Sequence, residues 1–412
     1  FGDSEYYAAH QIPLAASALE SMFKISTAAR RWFSRASKSA WKVAGIASLG
    51  IGIGTTVSYA KVAKKETPKE IELYLPTNDE KNYRIFAGNG NPLLANEICM
   101  LLGTQLGRSM ISKFHDGEIK IRFFDSVRGK KAYVVQSTCY PTNDNLMELL
   151  LMISTLRRAS ADSITAILPY YGYSRQLAPV SKNGVPTSLA AADVAIMLRT
   201  MGVDQVVSVD LHKDQIEGFF KSDVTIENLD ITKAVIPYLK RKELRDPVCV
   251  PIGGVKKAKH LRDCLTRAGV ETEMGFVFYT GDAGFVNVNE DTHPDETDST
   301  EVMKHTTEFV GDVKDRDVII LTDLIDTGSR VTSAANQLSQ CGARRIYAIA
   351  SHALMTGNAI EVIDKSSLDE VVVFNTIPQK KDSPKIRMLT IAPLIAKTIS
   401  RINTDGSIKA LY

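Results

Sequence analysis

The side chains able to do chemistry fall in a few short runs. Residues 113–119 read Lys-Phe-His-Asp-Gly-Glu-Ile, and period-two alternation would put Phe114, Asp116 and Glu118 on one side of an extended segment. Phe114 alone would serve equally well as a core aromatic; the polar HDGE beside it favours a ligand. His212 closes the apolar run QVVSVDLH at a strand's C-terminal end, where open α/β sheets bind ligands. A lone His specifies little and is more often structural. Asp323, Asp326, Thr327, Gly328 and Ser329 crowd the junction between the apolar run 317–326 and a helical stretch. Arg175 and Gln176 follow the strand-and-turn run 163–173. The five cysteines (99, 139, 249, 264 and 341) form no CxxC pair. Neither a zinc site nor a disulfide framework is indicated, and they read as reduced core thiols.

The elements that must position these residues read as α/β, twice over. Strands are expected at 83–88, 131–137, 163–173 and 205–212, with helices at 92–103, 143–159 and 189–202 between them. Asn143 or Asp144 suits the cap of the second helix, and Arg157 and Arg158 suit its C-terminal dipole. A second series has strands at 247–254, 273–279, 317–326, 344–354 and 370–378, with helices at 256–269 and 331–342. Continuous apolar strands between helices imply parallel sheets covered on both faces.

The whole chain has 412 residues, 44% of them hydrophobic and 24% charged, the balance of a globular protein of two or three domains. That excludes a disordered chain, a collagen-like repeat and a polytopic membrane protein. With 50 Lys and Arg against 47 Asp and Glu, no whole-chain case arises for a nucleic-acid partner.

The first eighty residues differ from the rest. Residues 1–42 form a basic extension carrying Lys24, Arg30, Arg31, Arg35, Lys38 and Lys42. The uncharged stretch 43–60 follows; as a helix it would span about 27 Å, close to the hydrocarbon thickness of a bilayer. Trp41, Lys42, Tyr59 and Lys61 flank it as interfacial anchors would. Its glycines oppose a helix, and the basic, Ser-rich start also resembles a targeting presequence. The favoured expectation is one membrane-spanning helix, followed by a charged linker at 61–82.

Several runs together resemble one family: 84–98, 113–119, 136–150, 167–176, 209–220, 321–330 and 375–378. The chain is identified from them as a member of the ribose-phosphate diphosphokinases, the phosphoribosyl pyrophosphate synthetases. The resemblance runs from about residue 83 to the C-terminus. It implies two phosphoribosyltransferase-like domains, 83–225 and 226–412, and transfer of the diphosphoryl group of ATP to the 1-hydroxyl of ribose 5-phosphate. It implies oligomers of homologous subunits with ATP near a subunit interface. It places Phe114, Asp116 and Glu118 on the adenine, Arg175 and Gln176 on the nucleotide, and His212 on Mg²⁺. It makes Asp323, Asp326, Thr327, Gly328 and Ser329 the ribose-phosphate loop, where backbone N–H groups at a helix N-terminus meet a phosphate.

The chain departs from that pattern where phosphate charge must be met. After Gln176 the family's acidic and basic loop reads Leu177, Ala178, Pro179, Val180; Lys182 survives and Gly184 replaces a frequent Arg. The family's Pro-Asp-Gly-Gly reads Pro251, Ile252, Gly253, Gly254, and Ile252 can bind neither a metal nor a hydroxyl. A Lys/Arg-rich cluster is replaced by Phe278, Tyr279, Thr280 and Gly281. Thr322 stands for the first loop Asp, and Ser329–Arg330 for Gly-Thr. Residues 281–309 form an acidic insert. Losing such cationic clamps removes several kcal/mol of transition-state stabilisation, about 10³ in rate or more.

These departures favour a catalytically inactive member, needing no cofactor. It would be a single-pass structural or regulatory subunit of a mitochondrial inner-membrane assembly, held by residues 43–60 and other protein subunits. The alternative is an active diphosphokinase using Mg²⁺ and ATP. A nucleotide sensor without chemistry is a third reading.

Overall fold

The computed structural model describes residues 81–177, 186–281, 284–285, 306–379 and 381–408. The first sheet has the order β1(Tyr83–Ala87), β4(Lys131–Val135), β5(Ser163–Leu168), β6(Gln205–Val209) and β7(Thr225–Leu229). All its pairings are parallel. The last four residues of β4 are buried, as a strand covered on both faces must be. The covering helices include α1(Pro92–Leu101), α2(Thr142–Arg158) and α3(Ala190–Thr200).

The second sheet is also parallel, ordered β16(Ile386–Leu389), β15(Glu370–Phe374), β14(Arg345–Ala353), β13(Asp317–Ile325), β8(Val248–Pro251) and β9(Glu273–Met274). Its helices are α4(Thr232–Lys240), α5(Val255–Arg267), α6(Ser329–Gln340), α7(Ala359–Lys365) and α8(Ala392–Asn403). A boundary drawn between residues 225 and 226 falls inside β7, which completes the first sheet.

The two sheets share one apolar core. A single buried cluster joins Ile85, Val135 and Ile167 of the first to Ile319, Ile349 and Val372 of the second. The last described helix, α8, packs on α1 and adds Ile395 and Ile399 to that cluster.

Local geometry departs from the sequence expectations in three places. Residues 114–118 are not extended: they turn between the antiparallel strands β2(Ser109–Lys113) and β3(Ile119–Phe123). Phe114 N–H donates to Glu118 O at 2.8 Å, and Gly117 has φ +94°, which breaks the alternation. Neither Asn143 nor Asp144 caps α2; Pro141 takes that position. Asn143 is held by the Tyr173 hydroxyl and Asp144 pairs with Lys113 at 2.5 Å. The strand expected at 273–279 divides at Gly275 into β9 and β10(Phe276–Gly281). β10 leaves the large sheet for a small antiparallel one with β11(Gly284–Phe285) and β12(Thr306–Val310).

Among the described residues no helix is long and apolar enough to cross a membrane. The expected span at 43–60, the extension before it and the linker up to residue 80 lie outside the described residues. So do 286–305 of the acidic insert and 178–185 of the loop after Gln176.

Candidate active site

The C-terminal ends of β5, β6, β13 and β14 converge, as ligand-binding ends of parallel strands do. β6 carries the chain into Asp210, Leu211 and His212, while β13 delivers Asp323. His212 Nδ1 lies 2.5 Å from Asp323 Oδ2 across the junction of the two sheets. Arg175 Nη1 donates to Asp326 Oδ2 at 2.8 Å across the same junction. The Thr356 hydroxyl donates to the other oxygen of Asp326. Burial alone would raise the Asp323 carboxyl, but the His212 bond and the charges of His212 and Lys257 outweigh it and hold it well below the usual carboxylate range. Asp323 is therefore an ionised group facing the other half of the molecule.

The loop at 326–329 turns sharply into α6. Gly328 has φ +80° and precedes the first residue of α6, a conformation that costs a non-glycine residue roughly 1–2 kcal/mol. Thr327 and Ser329 hydroxyls lie 3.1 Å apart beside it, both exposed. A second glycine requirement lies at Gly90, where a Cβ would meet Ser137 O at 2.3 Å. Its absence lets the Gly90 N–H reach Gln136 Oε1 at 2.8 Å.

The substituted positions turn away from chemistry. Ile252 is buried in the same apolar cluster as Val250, Tyr279 and Val331. Tyr279 is buried too, its hydroxyl donating to Arg330 O at 2.8 Å, and burial raises its phenol well above the usual value. Phe278 is half-exposed, and Thr280 pairs with Thr306 along β10 and β12. Thr322 folds its hydroxyl onto Leu324 O at 3.2 Å.

Phe114, Asp116 and Glu118 stand on the β2–β3 turn, and their described contacts stay within that hairpin. Phe114 carries the Lys120 ammonium 5.1 Å from its ring centre, and Asp116 accepts from Glu118 N–H at 3.1 Å. Gln176 is exposed. The structure thus brings Arg175, His212, Asp323 and Asp326 together, whereas the contacts described for the hairpin residues are with one another and with Lys120.

Three further groups at the junction escaped the sequence reading. Asp210 is buried with φ +42° and accepts from Ser351 Oγ. Lys257 Nζ lies 3.4 Å from Asp210 Oδ1, and the charges of Asp210 and Asp323 raise its pKa against the opposing effect of burial. His352 bridges Asp210 O at 3.1 Å and Thr376 Oγ1 at 3.0 Å. Burial lowers its pKa to about 4, so the ring is neutral at pH 7. The position of His352 at the C-terminal end of a central strand was the available signal.

For the Mg²⁺ that the resemblance implies, ionised Asp323 beside His212 is a fitting but minimal set. Mg²⁺ commonly takes one or two protein carboxylates and completes its shell from substrate phosphate and water.

Residues 83–202 match the N-terminal domain of ribose phosphate pyrophosphokinase, and 289–412 the phosphoribosyl synthetase-associated domain. Ribose-phosphate pyrophosphokinase of Wolinella succinogenes is 39% identical over 335 residues, covering 81% of this chain and 99% of the relative. That of Haemophilus ducreyi is 40% identical, covering 80% and 98%. The crystal structure of phosphoribosylpyrophosphate synthetase from Mycobacterium smegmatis matches with a TM-score of 0.68 at 34% identity, over 79% of this chain and all of that one. These findings correct the single-pass mitochondrial inner-membrane placement. The relatives are bacterial pyrophosphokinases matched across four fifths of the chain, and the described residues hold no membrane-length apolar helix. Two matched domains in order, and relatives aligned almost end to end, place the chain in the ribose-phosphate pyrophosphokinase family.

Proposed function

We propose that the chain transfers the diphosphoryl group of ATP to the 1-hydroxyl of ribose 5-phosphate. The observation that carries this reading is the pairing of nucleotide-side Arg175 and His212 with loop acids Asp326 and Asp323 across the two sheets. The N–H groups at the start of α6, with Thr327 and Ser329, form a cradle for the 5-phosphate. Asp323 and Asp326 accept hydrogen bonds from the sugar hydroxyls and fix the 1-hydroxyl toward the β-phosphorus. The new bond joins that oxygen to the β-phosphorus; the bond from the β-phosphorus to the bridging oxygen breaks; AMP leaves, and the hydroxyl proton passes to solvent. Mg²⁺, when bound, neutralises phosphate charge. Arg175, released from Asp326, meets the nucleotide. The outward-facing Phe114 hairpin suits contact with the nucleotide of a second copy of the chain.

The second reading is a family member without catalysis, favoured by the burial of Ile252 and Tyr279 in apolar core. A coupled assay for AMP release from ATP, Mg²⁺ and ribose 5-phosphate separates the two. Turnover within about tenfold of the common range of 1–10³ s⁻¹ is expected. Ligand binding without any AMP release would reject the first reading in favour of the second.

A further inference from the structure

We propose that Lys257 is a positioning residue for anionic ligands: its ammonium offsets Asp210 and Asp323 at the junction of the two sheets and lets phosphate groups enter. The inference rests on the reading above and deepens it. Lys257 lies in the first turn of α5, just beyond the Gly254 cap that follows Ile252. Its side chain is largely covered, and its ammonium meets two groups of the β6 end, Asp210 Oδ1 and Leu211 O, each at 3.4 Å. Both contacts are long. Arg175, by contrast, is bound to Asp326 at 2.8 Å. Lys256, its neighbour, is 88% exposed and pairs outward with Asp214.

The charge balance gives this lysine its role. Asp210 is buried and held by Ser351, burial pushing its carboxyl up against the pull of the Lys257 charge, and Asp323 is half-buried against His212, so two acidic side chains flank the strand ends that the proposed function gives to phosphates. Phe278 and Tyr279 bring no cation to this region. An uncompensated carboxylate in a low-dielectric cleft repels phosphate strongly. Lys257 lies against one of these carboxylates and feels the charge of the other. It therefore acts through Asp210 and Asp323 rather than by gripping the ligand.

Titration calorimetry on the full chain with three probes tests this: Mg²⁺–ATP, ribose 5-phosphate and uncharged adenosine. Lys257→Met should weaken both anionic probes at least tenfold and leave adenosine within twofold. Lys257→Arg should stay within threefold of the unsubstituted chain, and Lys256→Met should change nothing. Adding Asp210→Asn to Lys257→Met removes one negative charge along with the positive one, and should recover most of the lost affinity. Asp210→Asn alone, an isosteric change that keeps Lys257, should tighten ribose 5-phosphate severalfold; this variant decides the matter should Lys257→Met not fold. Equal loss of adenosine and anions, anion affinities within twofold in Lys257→Met, or weaker sugar-phosphate binding in Asp210→Asn would overturn the inference. Normal binding without turnover rejects the transfer reaction and leaves the role of Lys257 standing. Failure of the unsubstituted chain to bind either anion rejects both.

Discussion

His352 is a buried imidazole whose two ring nitrogens both have partners. Its Nε2 faces the Asp210 carbonyl, so that nitrogen carries the proton, and Nδ1 faces the Thr376 hydroxyl. Burial holds its pKa at about 4, against 6.5 for a free imidazole. Between those values the unfolded chain binds the extra proton and the folded chain does not. Stability is therefore fully present above about pH 6.5 and falls as pH drops toward 4, by about 3 kcal/mol for this one group. Chemical denaturation at pH 7 and pH 4.5 should show the loss, and His352→Gln should flatten the dependence. Ile252 carries a second prediction. The position resembles a lost acid, and reinstating it looks like a repair. Its side chain, however, sits in the cluster of Val250, Tyr279 and Val331. Ile252→Asp would bury a carboxylate among apolar groups, so stability should drop by about 3–5 kcal/mol with no gain in AMP release. A melt and the coupled assay on the same sample check both statements. Sequence alone identified the substitution; it did not reveal that the neighbouring residues had become its packing partners.

At the scale of elements, the turn into α6 decides whether the loop proposed to hold the sugar phosphate keeps its form. Gly328 sits at φ +80°, with the Ile363 side chain 3.4 Å from where a Cβ would stand. Gly328→Ala should cost about 1–2 kcal/mol from the backbone alone. It should also raise the KM for ribose 5-phosphate more than that for ATP, because the phosphate cradle is the part that shifts. Steady-state kinetics with each substrate varied in turn would show the asymmetry. The strands and helices that carry the site were legible from their apolar spacing, since parallel strands buried on both faces leave continuous runs such as residues 131–135. The hairpin at 109–123 was not legible. Alternation at Phe114, Asp116 and Glu118 suggested an extended segment, but Gly117 at φ +94° turns the chain there. Alternation over five residues cannot distinguish a strand from a loop whose hydrogen bond closes from residue 114 to 118. The division of 273–279 escaped for a related reason. Gly275 has no room for a side chain beside Phe309, and the strand leaves one sheet for another at that point.

At the scale of the molecule, the two sheets do not behave as separate bodies. Besides the shared apolar cluster, Asn91 donates to Asn375 O at 2.7 Å and Ser137 to Thr376 O at 2.6 Å. Heating should therefore melt residues 81–408 in one cooperative transition, with calorimetric and van't Hoff enthalpies in agreement. Ile395→Ala on α8 should lower its midpoint through a loss of about 2–5 kcal/mol, and should not split it. Two resolved transitions would show that the halves are independent. The motifs near residues 91 and 375 were visible in the sequence as family signatures. That the Asn91 side chain binds the Asn375 carbonyl 284 residues away was not, because pairing at that separation leaves no local periodicity.

The packing of α8 on α1 sets the order in which the protein can be made. Of the described helices α1 leaves the ribosome first, and it presents Leu94 and Ile98 to a partner that contains Ile395 and Ile399, in the last described helix. Until those arrive, the nascent chain carries an uncovered greasy stripe. A transcript broken before the codon for Ala392 would yield a product prone to capture by chaperones or to clumping, even though every cleft residue named above had already been translated.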